Sequence, residues 1–468
     1  MKRTKQVTPE IQLKAEQYIN LGYQRLLTFE VPGGGFDWYG RAPSNIILSA
    51  WGLLQLNDMA NVWSIDRRIL DRTKQYLFRN QQQDGRWDLS LSESRQGSYN
   101  WGQVTGSLPV TAYVTWALLE AGDRGTGVQR AVAYIRKHIG QSKDPYTLAL
   151  AANALVLWSP RDDFTGRLLQ RLDGLKTPSS DGKTVSWTAQ TQTMYYSSGL
   201  TGSLESTALA AIALGRARAF TTSVNRGLLF LVKSKDPHGT WFSTQATILS
   251  LKALLGASQK VRSDVTERVS IAVDGKEVKQ LTITPDQSDI LQLVDLKPFV
   301  GRAGVRRVSL ASSRAETNLM YQVVGRTYLP WHLVPKKEAV PSPMRIDLRY
   351  DRTWLRKDDT LTAQLEVEYL GERPTYLVIV DLGIPPGFDL LPERLVKARE
   401  QGGIDKFTAT GRQLTLYLGR MAKGKPLKLS YQLKARFPIR AKTPRSVAYE
   451  YYNPKNQAVA APVSLTVQ

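Results

Sequence analysis

Apolar residues recur every three or four positions through the first half of the chain and at alternate positions through its last third. The first pattern predicts helices at about 11–29, 43–60, 66–82, 107–122, 125–139, 145–158, 162–175, 203–217, 221–234 and 241–256, because that spacing puts apolar side chains on one face of a 3.6-residue helix. Thr8-Pro9-Glu10 is a helix start: a threonine cap, proline at the first helical position and an early acid. Tyr146–Trp158 (YTLALAANALVLW) and Leu204–Leu214 (LESTALAAIAL) are rich in Ala and Leu on every side. A helix of that kind has close neighbours all round, as in an inner ring. QQQDGRW (Gln81–Trp87) and SKDPHGTW (Ser234–Trp241) each follow a helix and turn at Asp and Gly before a packing Trp. Recurrence of this turn between helices is a feature of α/α toroids, in which hairpins repeat around a ring.

After Gln259 the period changes to two. VSIAVDGKEVKQLTI alternates around Asp274-Gly275, the signal for a hairpin. VRRVSLASS and NLMYQVVGRTYL read as further strands, and 336–343 (KKEAVPSP) as a linker. From Met344 the alternation resumes in MRIDLRYDRTWL, TLTAQLEVEYL, YLVIVDLGI, LTLYLGRM and LKLSYQLKARF, which predicts a β-sandwich. The expected fold class is therefore a multidomain α plus β chain, a toroid followed by β-sandwich domains.

Composition narrows the chemistry. The chain has 468 residues and no Cys, which removes disulfides, cysteine-ligated zinc and a cysteine nucleophile. The opening MKRTKQVTPE lacks the apolar core of an export signal, and no apolar run is long enough to span a membrane. The net charge is +22. It is spread along the chain rather than gathered into a stripe with interleaved aromatics, so nucleic acid is not the expected partner. Dispersed positive charge suits anionic cell-envelope surfaces, and equally a basic proteome or simple solubility.

From Gln6 onward the chain resembles the C-terminal part of the alpha-2-macroglobulin and complement thioester protein family. The resemblance rests on GYQRLLTF (Gly22–Phe29), RAPSNIILSAW (Arg41–Trp51), QQQDGRW, LPVTAYVTWALLEA (Leu108–Ala121), YTLALAANAL and HGTWFSTQATILSLKAL (His238–Leu254). It continues in VEYLGERPTYLVIVDLGIPPGF (Val367–Phe388) and PIRAKTPRSVAYEYYNP (Pro438–Pro454), so it covers essentially the whole chain. It implies a thioester-domain toroid at 1–258, the second half of a CUB-like β domain at 259–335, the linker at 336–343 and a receptor-binding-type macroglobulin sandwich at 344–468. A complete toroid of this family has twelve helices. About ten are counted here, so the ring is expected to be incomplete, lacking its first pair. The family's Cys-Gly-Glu-Gln motif, whose cysteine and glutamine form an internal thioester, lies shortly before the segment that aligns with Lys5, and would fall before Met1. The helices at Ile11–Phe29 and Trp241–Leu254 are then expected to border the gap and to expose apolar side chains.

The resemblance also implies a function. It points to an endopeptidase inhibitor, bacterial in type and extracellular or periplasmic in its parent form, which meets proteases through the full-length protein. No catalytic residue, metal site or cofactor is expected. In some relatives a histidine attacks the thioester first. The matching loop here, Ser94–Gln103, holds Tyr99 and Asn100 instead, and these are the candidates to shield or orient a thioester. A plain cover for the ring mouth, with Trp101, is the other reading. His138, His238 and His332 lie elsewhere. In the segment matching the family's receptor helix, LPERLVKAREQ (Leu391–Gln401), the basic candidates are Arg394 and Lys397; a solvated helix face with local salt bridges is the simpler reading. Two other classes stay open: a non-catalytic binding or scaffold module, and a terpene-cyclase-like toroid enzyme. The acidic pairs Asp162-Asp163 and Asp358-Asp359 lack the further spaced aspartates that the enzyme requires.

Overall fold

In the computed structural model the described residues are 9–89, 106–236, 239–258, 265–287, 292–301, 304–314, 321, 323–325, 342–372, 375 and 377–468. Ten α-helices precede residue 259 among them: α1 (Pro9–Leu27), α2 (Ile46–Ala60), α3 (Arg67–Arg79), α4 (Ser107–Glu120), α5 (Thr126–His138), α6 (Pro145–Trp158), α7 (Asp163–Gly174), α8 (Gly199–Arg216), α9 (Thr221–Lys233) and α10 (Thr244–Ser258). They alternate in character as the sequence predicts. Helices α3, α5, α7 and α9 bury one stripe: in α5, Val128, Ala131, Val132 and Ile135 face inward. Helices α4 and α6 are buried nearly throughout, Pro109 to Leu119 without a break in α4 and Pro145 to Val156 in α6. The even-numbered helices form the inner wall of an α/α toroid. Helix α4 packs on both α2 and α6, and the Asn153 side-chain amide of α6 donates to the Leu209 carbonyl of α8 at 2.9 Å. At the C-terminal ends of α8 and α4, Arg216 pairs with Glu120 at 2.8 Å, and Lys252, midway along α10, reaches Asp58 in the last turn of α2 at 2.8 Å. Cations are well placed there, against the negative ends of helix dipoles.

Four outer helices connect to the next inner one by the same device. In three, a fully buried Trp follows the turn, and its backbone N–H donates to a Thr hydroxyl of the coming inner helix. These are Trp87 to Thr111 (3.0 Å), Trp187 to Thr207 (2.9 Å) and Trp241 to Thr247 (3.1 Å). Phe36 and Ser49 play these parts between α1 and α2, at 2.9 Å. The indole N–H of Trp87 and of Trp187 caps a carbonyl at the end of the preceding outer helix, Leu77 and Leu172, each at 2.7 Å. That satisfies an acceptor that a helix C-terminus leaves open. Gly85 is required in its turn: its φ is +91°, and a Cβ would come within 2.5 Å of the Arg130 carbonyl.

Two short strands, β1 (Thr177–Pro178) and β2 (Val185–Ser186), form the hairpin before Trp187. The hairpin expected at Asp274-Gly275 joins β3 (Glu267–Val273) to β4 (Lys276–Ile283), with both turn residues at positive φ. Strand β5 (Val308–Ser312) pairs on the other side of β3. Most of NLMYQVVGRTYL and of the linker lies outside the described residues.

The sandwich contains β6 (Met344–Tyr350), β7 (Trp354–Leu355), β8 (Thr360–Tyr369), β9 (Val378–Gly383), β10 (Phe388–Leu391), β11 (Lys406–Ala409), β12 (Gln413–Leu418), β13 (Leu427–Ala435), β14 (Ile439–Lys442), β15 (Ser446–Glu450), β16 (Asn453–Ala460) and β17 (Ser464–Val467). Their sheets run β10-β13-β8-β6, β11-β12-β9-β15-β16 and β14-β17-β7. One apolar core fills them, including Leu361, Leu365, Val380, Leu416, Tyr431 and Leu465. Helix α11 (Glu393–Glu400) lies between β10 and β11 in sequence and packs on β13 and β11. Contacts group the chain into two compact units, Met1–Met194 with Leu204–Ser234 and Ile248–Thr327, and Tyr195–Ser203 with Lys235–Thr247 and Tyr328–Gln468.

Candidate functional site

The repeated Trp turn fixes where variable segments of the ring can lie. Each turn delivers the chain to the N-terminal end of an inner helix. Two connections are long: 88–106 before α4 and 188–198 before α8. Tyr99 and Asn100 belong to the first and lie outside the described residues, as do His238 and His332. The base of that connection is described. Ser107, the first residue of α4, donates its hydroxyl to Asp88 at 3.2 Å, and Gly106 enters the helix at φ +59°. Tyr134 of α5 stands beside this pair; burial is the main cause that raises its hydroxyl above the usual phenol range.

The same end holds the caps of the neighbouring inner helices. Asn45 caps α2 by accepting the Leu48 N–H at 3.0 Å. Asp144 caps α6, accepting from the Thr147 N–H at 3.1 Å and its hydroxyl at 2.8 Å. Its other oxygen accepts the Gln190 N–H at 2.9 Å, which ties the second long connection to α6. Below the caps, Tyr146 is buried and its hydroxyl accepts the Met194 N–H at 3.4 Å. Burial, and next the charge of the fully buried Glu205 on α8, push that hydroxyl well above its ordinary range. Sequence reading passed over Glu205, although an acid inside an apolar Ala/Leu helix is itself a signal.

In the second unit three tyrosines meet. Tyr196 holds a left-handed backbone at φ 61°. Its ring centroid lies 6.3 Å from that of Tyr452, which meets Tyr451 edge-on at 5.0 Å. Asn453 lies close against Gly199, 3.3 Å from where a Cβ would stand. The segment Tyr195–Ser203 thus docks on the hairpin between β15 and β16.

Helix α11 places the other candidates. Leu395 is its buried anchor. Arg394 reaches across to β13, donating to the Ser430 hydroxyl at 2.9 Å, while Lys397, three residues on, is exposed. The acidic pairs are structural. Asp162 is bound by Arg136 and precedes α7; Asp359 accepts the Arg356 N–H at 2.8 Å, and Asp358 faces Lys434 at 3.3 Å. His138 ends α5 and stacks on Tyr134 at 4.4 Å. Among the described residues no three His, Cys, Asp or Glu side chains are grouped to hold a metal, and no helix is long and apolar enough to cross a membrane.

Comparison with known proteins gives the same account. The family model for the A-macroglobulin TED domain matches residues 1–256, and that for the A-macroglobulin receptor binding domain matches 373–462. Ovostatin of Gallus gallus is 22% identical over 489 aligned positions, covering 99% of this chain and 32% of its own length. Complement C3 of Eptatretus burgeri is 24% identical over 477, covering 95% and 28%. The structure of Salmonella alpha-2-macroglobulin reacted with methylamine superimposes with a TM-score of 0.63 at 16% identity, over 100% of this chain and 28% of that one. The chain therefore spans under a third of the length of these relatives. With a family match through more than half of its residues, and a toroid and sandwich that agree with it, the chain belongs to the alpha-macroglobulin family and carries that family's thioester-domain and receptor-binding-domain folds.

Proposed function

We propose that this chain is the thioester-domain and receptor-binding part of a protease-inhibitor-like alpha-macroglobulin, and that its parent traps proteases rather than catalysing a reaction. The observation that carries the reading is the family match through residues 1–256 of the ring. The described flanks of both long connections support it, since Asp88 bonds Ser107 at the start of α4 and Gln190 bonds Asp144, the cap of α6. In this reading the toroid occupies 1–258, a half CUB-like domain 259–335, a linker 336–343 and the receptor-type sandwich 344–468. Tyr99 and Asn100 shield or orient the reactive bond from the first long connection. Lys397 is an exposed cation of the receptor-type helix, and Arg394, held by Ser430, positions the helix on its sheet. The parent acts outside the cytoplasm, in the extracellular or periplasmic space.

Because the chain has no Cys, it cannot itself form a thioester, and by itself it acts through its surfaces. That favours a second reading, a binding module, for the chain in isolation. One experiment separates the two. The coding DNA upstream of Met1 is read for an in-frame Cys-x-Glu-Gln, and the longest in-frame product and this chain are each incubated with an active protease and run on denaturing gels. A denaturant-stable adduct with the longer product and none with this chain is expected. No adduct with either leaves the binding module; an adduct with this chain overturns the trapping chemistry as described.

A further inference from the structure

The segment between Asp405 and Glu450 carries eleven Lys and Arg residues and no acid. Four of the eleven are neutralised by carboxylates from elsewhere in the sandwich: Lys423 by Glu372, Lys428 by Glu366, Lys434 by Asp358 and Arg436 by Asp389. Arg440, Lys442 and Arg445 are exposed and have no carboxylate partner among the described residues.

Sheet register gathers two of these with an exposed aromatic. In the three-stranded sheet β14-β17-β7, Arg440 stands opposite Thr466, and Thr466 opposite Trp354, while Lys442 stands opposite Ser464. Side chains alternate across a sheet. Ile439, Ala441, Leu465, Val467 and Leu355 therefore turn toward the core, and Arg440, Lys442, Ser464, Thr466 and Trp354 share the outer face. Trp354 is 51% exposed, and Phe437, two residues before β14, is 66% exposed. The outer face thus holds cations, hydroxyls and a large amphipathic ring, with no acid among its side chains.

We propose that this face docks the chain on an anionic phospholipid surface. The cations complement lipid phosphates, which they meet within a Debye length. A Trp ring at the same level suits the headgroup layer, where its apolar body and its N–H both find partners. Nucleic acid fits less well, because a single indole offers no platform for successive bases. The face lies within the sandwich unit, so the proposal does not depend on a thioester or on trapping.

The test uses the full chain and vesicles of phosphatidylcholine with and without phosphatidylglycerol, read by co-sedimentation. Binding to the anionic vesicles alone, weakening with salt, is expected. Arg440→Gln with Lys442→Gln should lower the partition coefficient about fivefold for each cation lost, and Trp354→Ala should lower it further. The charge-matched pair Arg67→Gln with Arg226→Gln, exposed on α3 and α9, should change it much less. Circular dichroism confirms that each variant is folded. Equal losses from the two pairs would reduce the effect to net charge and overturn the proposal. So would undiminished binding by Trp354→Ala, or binding to polyglutamate or DNA without binding to vesicles.

Discussion

The Thr hydroxyls that receive the Trp backbone N–H groups should each be worth far more than an ordinary threonine. Thr207 is fully buried and accepts the Trp187 N–H at 2.9 Å. Thr207→Val keeps the shape and replaces the hydroxyl by a methyl. The Trp187 side chain, wedged near Gly227 and fully buried, holds its own backbone in place, so the freed N–H has no route to water. A buried donor left without a partner costs about 1–3 kcal/mol. The added methyl recovers only a fraction of that, since Thr-to-Val is not a neutral swap in a core. The expected loss is about 1–2.5 kcal/mol, read from urea unfolding followed by far-ultraviolet circular dichroism. Thr207→Ser keeps the acceptor and should lose the smaller amount due to one methyl. The same geometry at Thr111, 3.0 Å from the Trp87 N–H, predicts that Thr111→Val costs an equal amount within about 0.5 kcal/mol. A loss below about 0.5 kcal/mol for Thr207→Val, or equal losses for Val and Ser, would refute the staple.

Three further outcomes are expected. Tyr369 is pushed up to about 12, by burial first and then by the charge of Glu450. The unfolded chain loses this proton near the ordinary phenol value while the folded chain keeps it, so stability should be whole below pH ~10 and fall between pH ~10 and 12; Tyr369→Phe should flatten that part of an alkaline unfolding profile, and an unchanged slope would count against it. Lys252→Met removes the pair with Asp58, whose side chain is 42% exposed, and should cost at most about 1 kcal/mol, less in high salt; a larger, salt-independent loss in urea titrations would show that Lys252 acts by packing instead. Leu13 and Leu21 on α1 and Leu251 and Leu255 on α10 are exposed, so changing all four to Gln should reduce hydrophobic-dye binding by the chain without lowering its unfolding midpoint, and undiminished dye fluorescence would locate the sticky surface elsewhere.

Most of the helical half was legible because each helix carries its own signal. The 3.6-residue period placed all ten helices, and the contrast between striped and all-apolar segments separated outer from inner. The expected exposure of apolar side chains on the first and last of them is present at Leu13, Leu21, Leu251 and Leu255. The Trp turn was only half read. QQQDGRW and SKDPHGTW share a compact spacing, but in SSDGKTVSW (Ser179–Trp187) Asp-Gly sits in the turn of a short β-hairpin whose second strand, β2, stands between it and Trp, and in the first copy Phe36 takes the place of Trp. What repeats is the hydrogen bond to a Thr or Ser an irregular distance downstream, and no fixed string encodes that. In the sandwich β6, β8, β9, β12 and β13 were visible by alternation, whereas β15 and β16 were not read as strands, β16 because NPKNQAVA is mostly polar and small. β7, β14 and β17 are too short to show a period, so the outer face that joins Trp354 to Arg440 depended on register alone. Tyr196 was out of reach for another reason: a left-handed tyrosine is imposed by tertiary packing and has no composition signal.

The pair formed by Lys252 and Asp58 has a consequence for the order of assembly. Its partners are 194 positions apart, whereas the Trp turns join elements that follow one another along the chain. Local hairpins can form as soon as each is synthesised, but α10 can meet α2 only after the whole helical region exists. The entropy of closing so long a loop grows only with the logarithm of its length, so the final state loses little by it. The rate is affected more, since distant contacts must wait for the intervening chain. Until that moment the last-made helices have an uncovered apolar side facing solvent. During synthesis the ring is an open strip that grows from one end, and it is then that a chaperone or a neighbouring nascent chain could most readily occupy the edge.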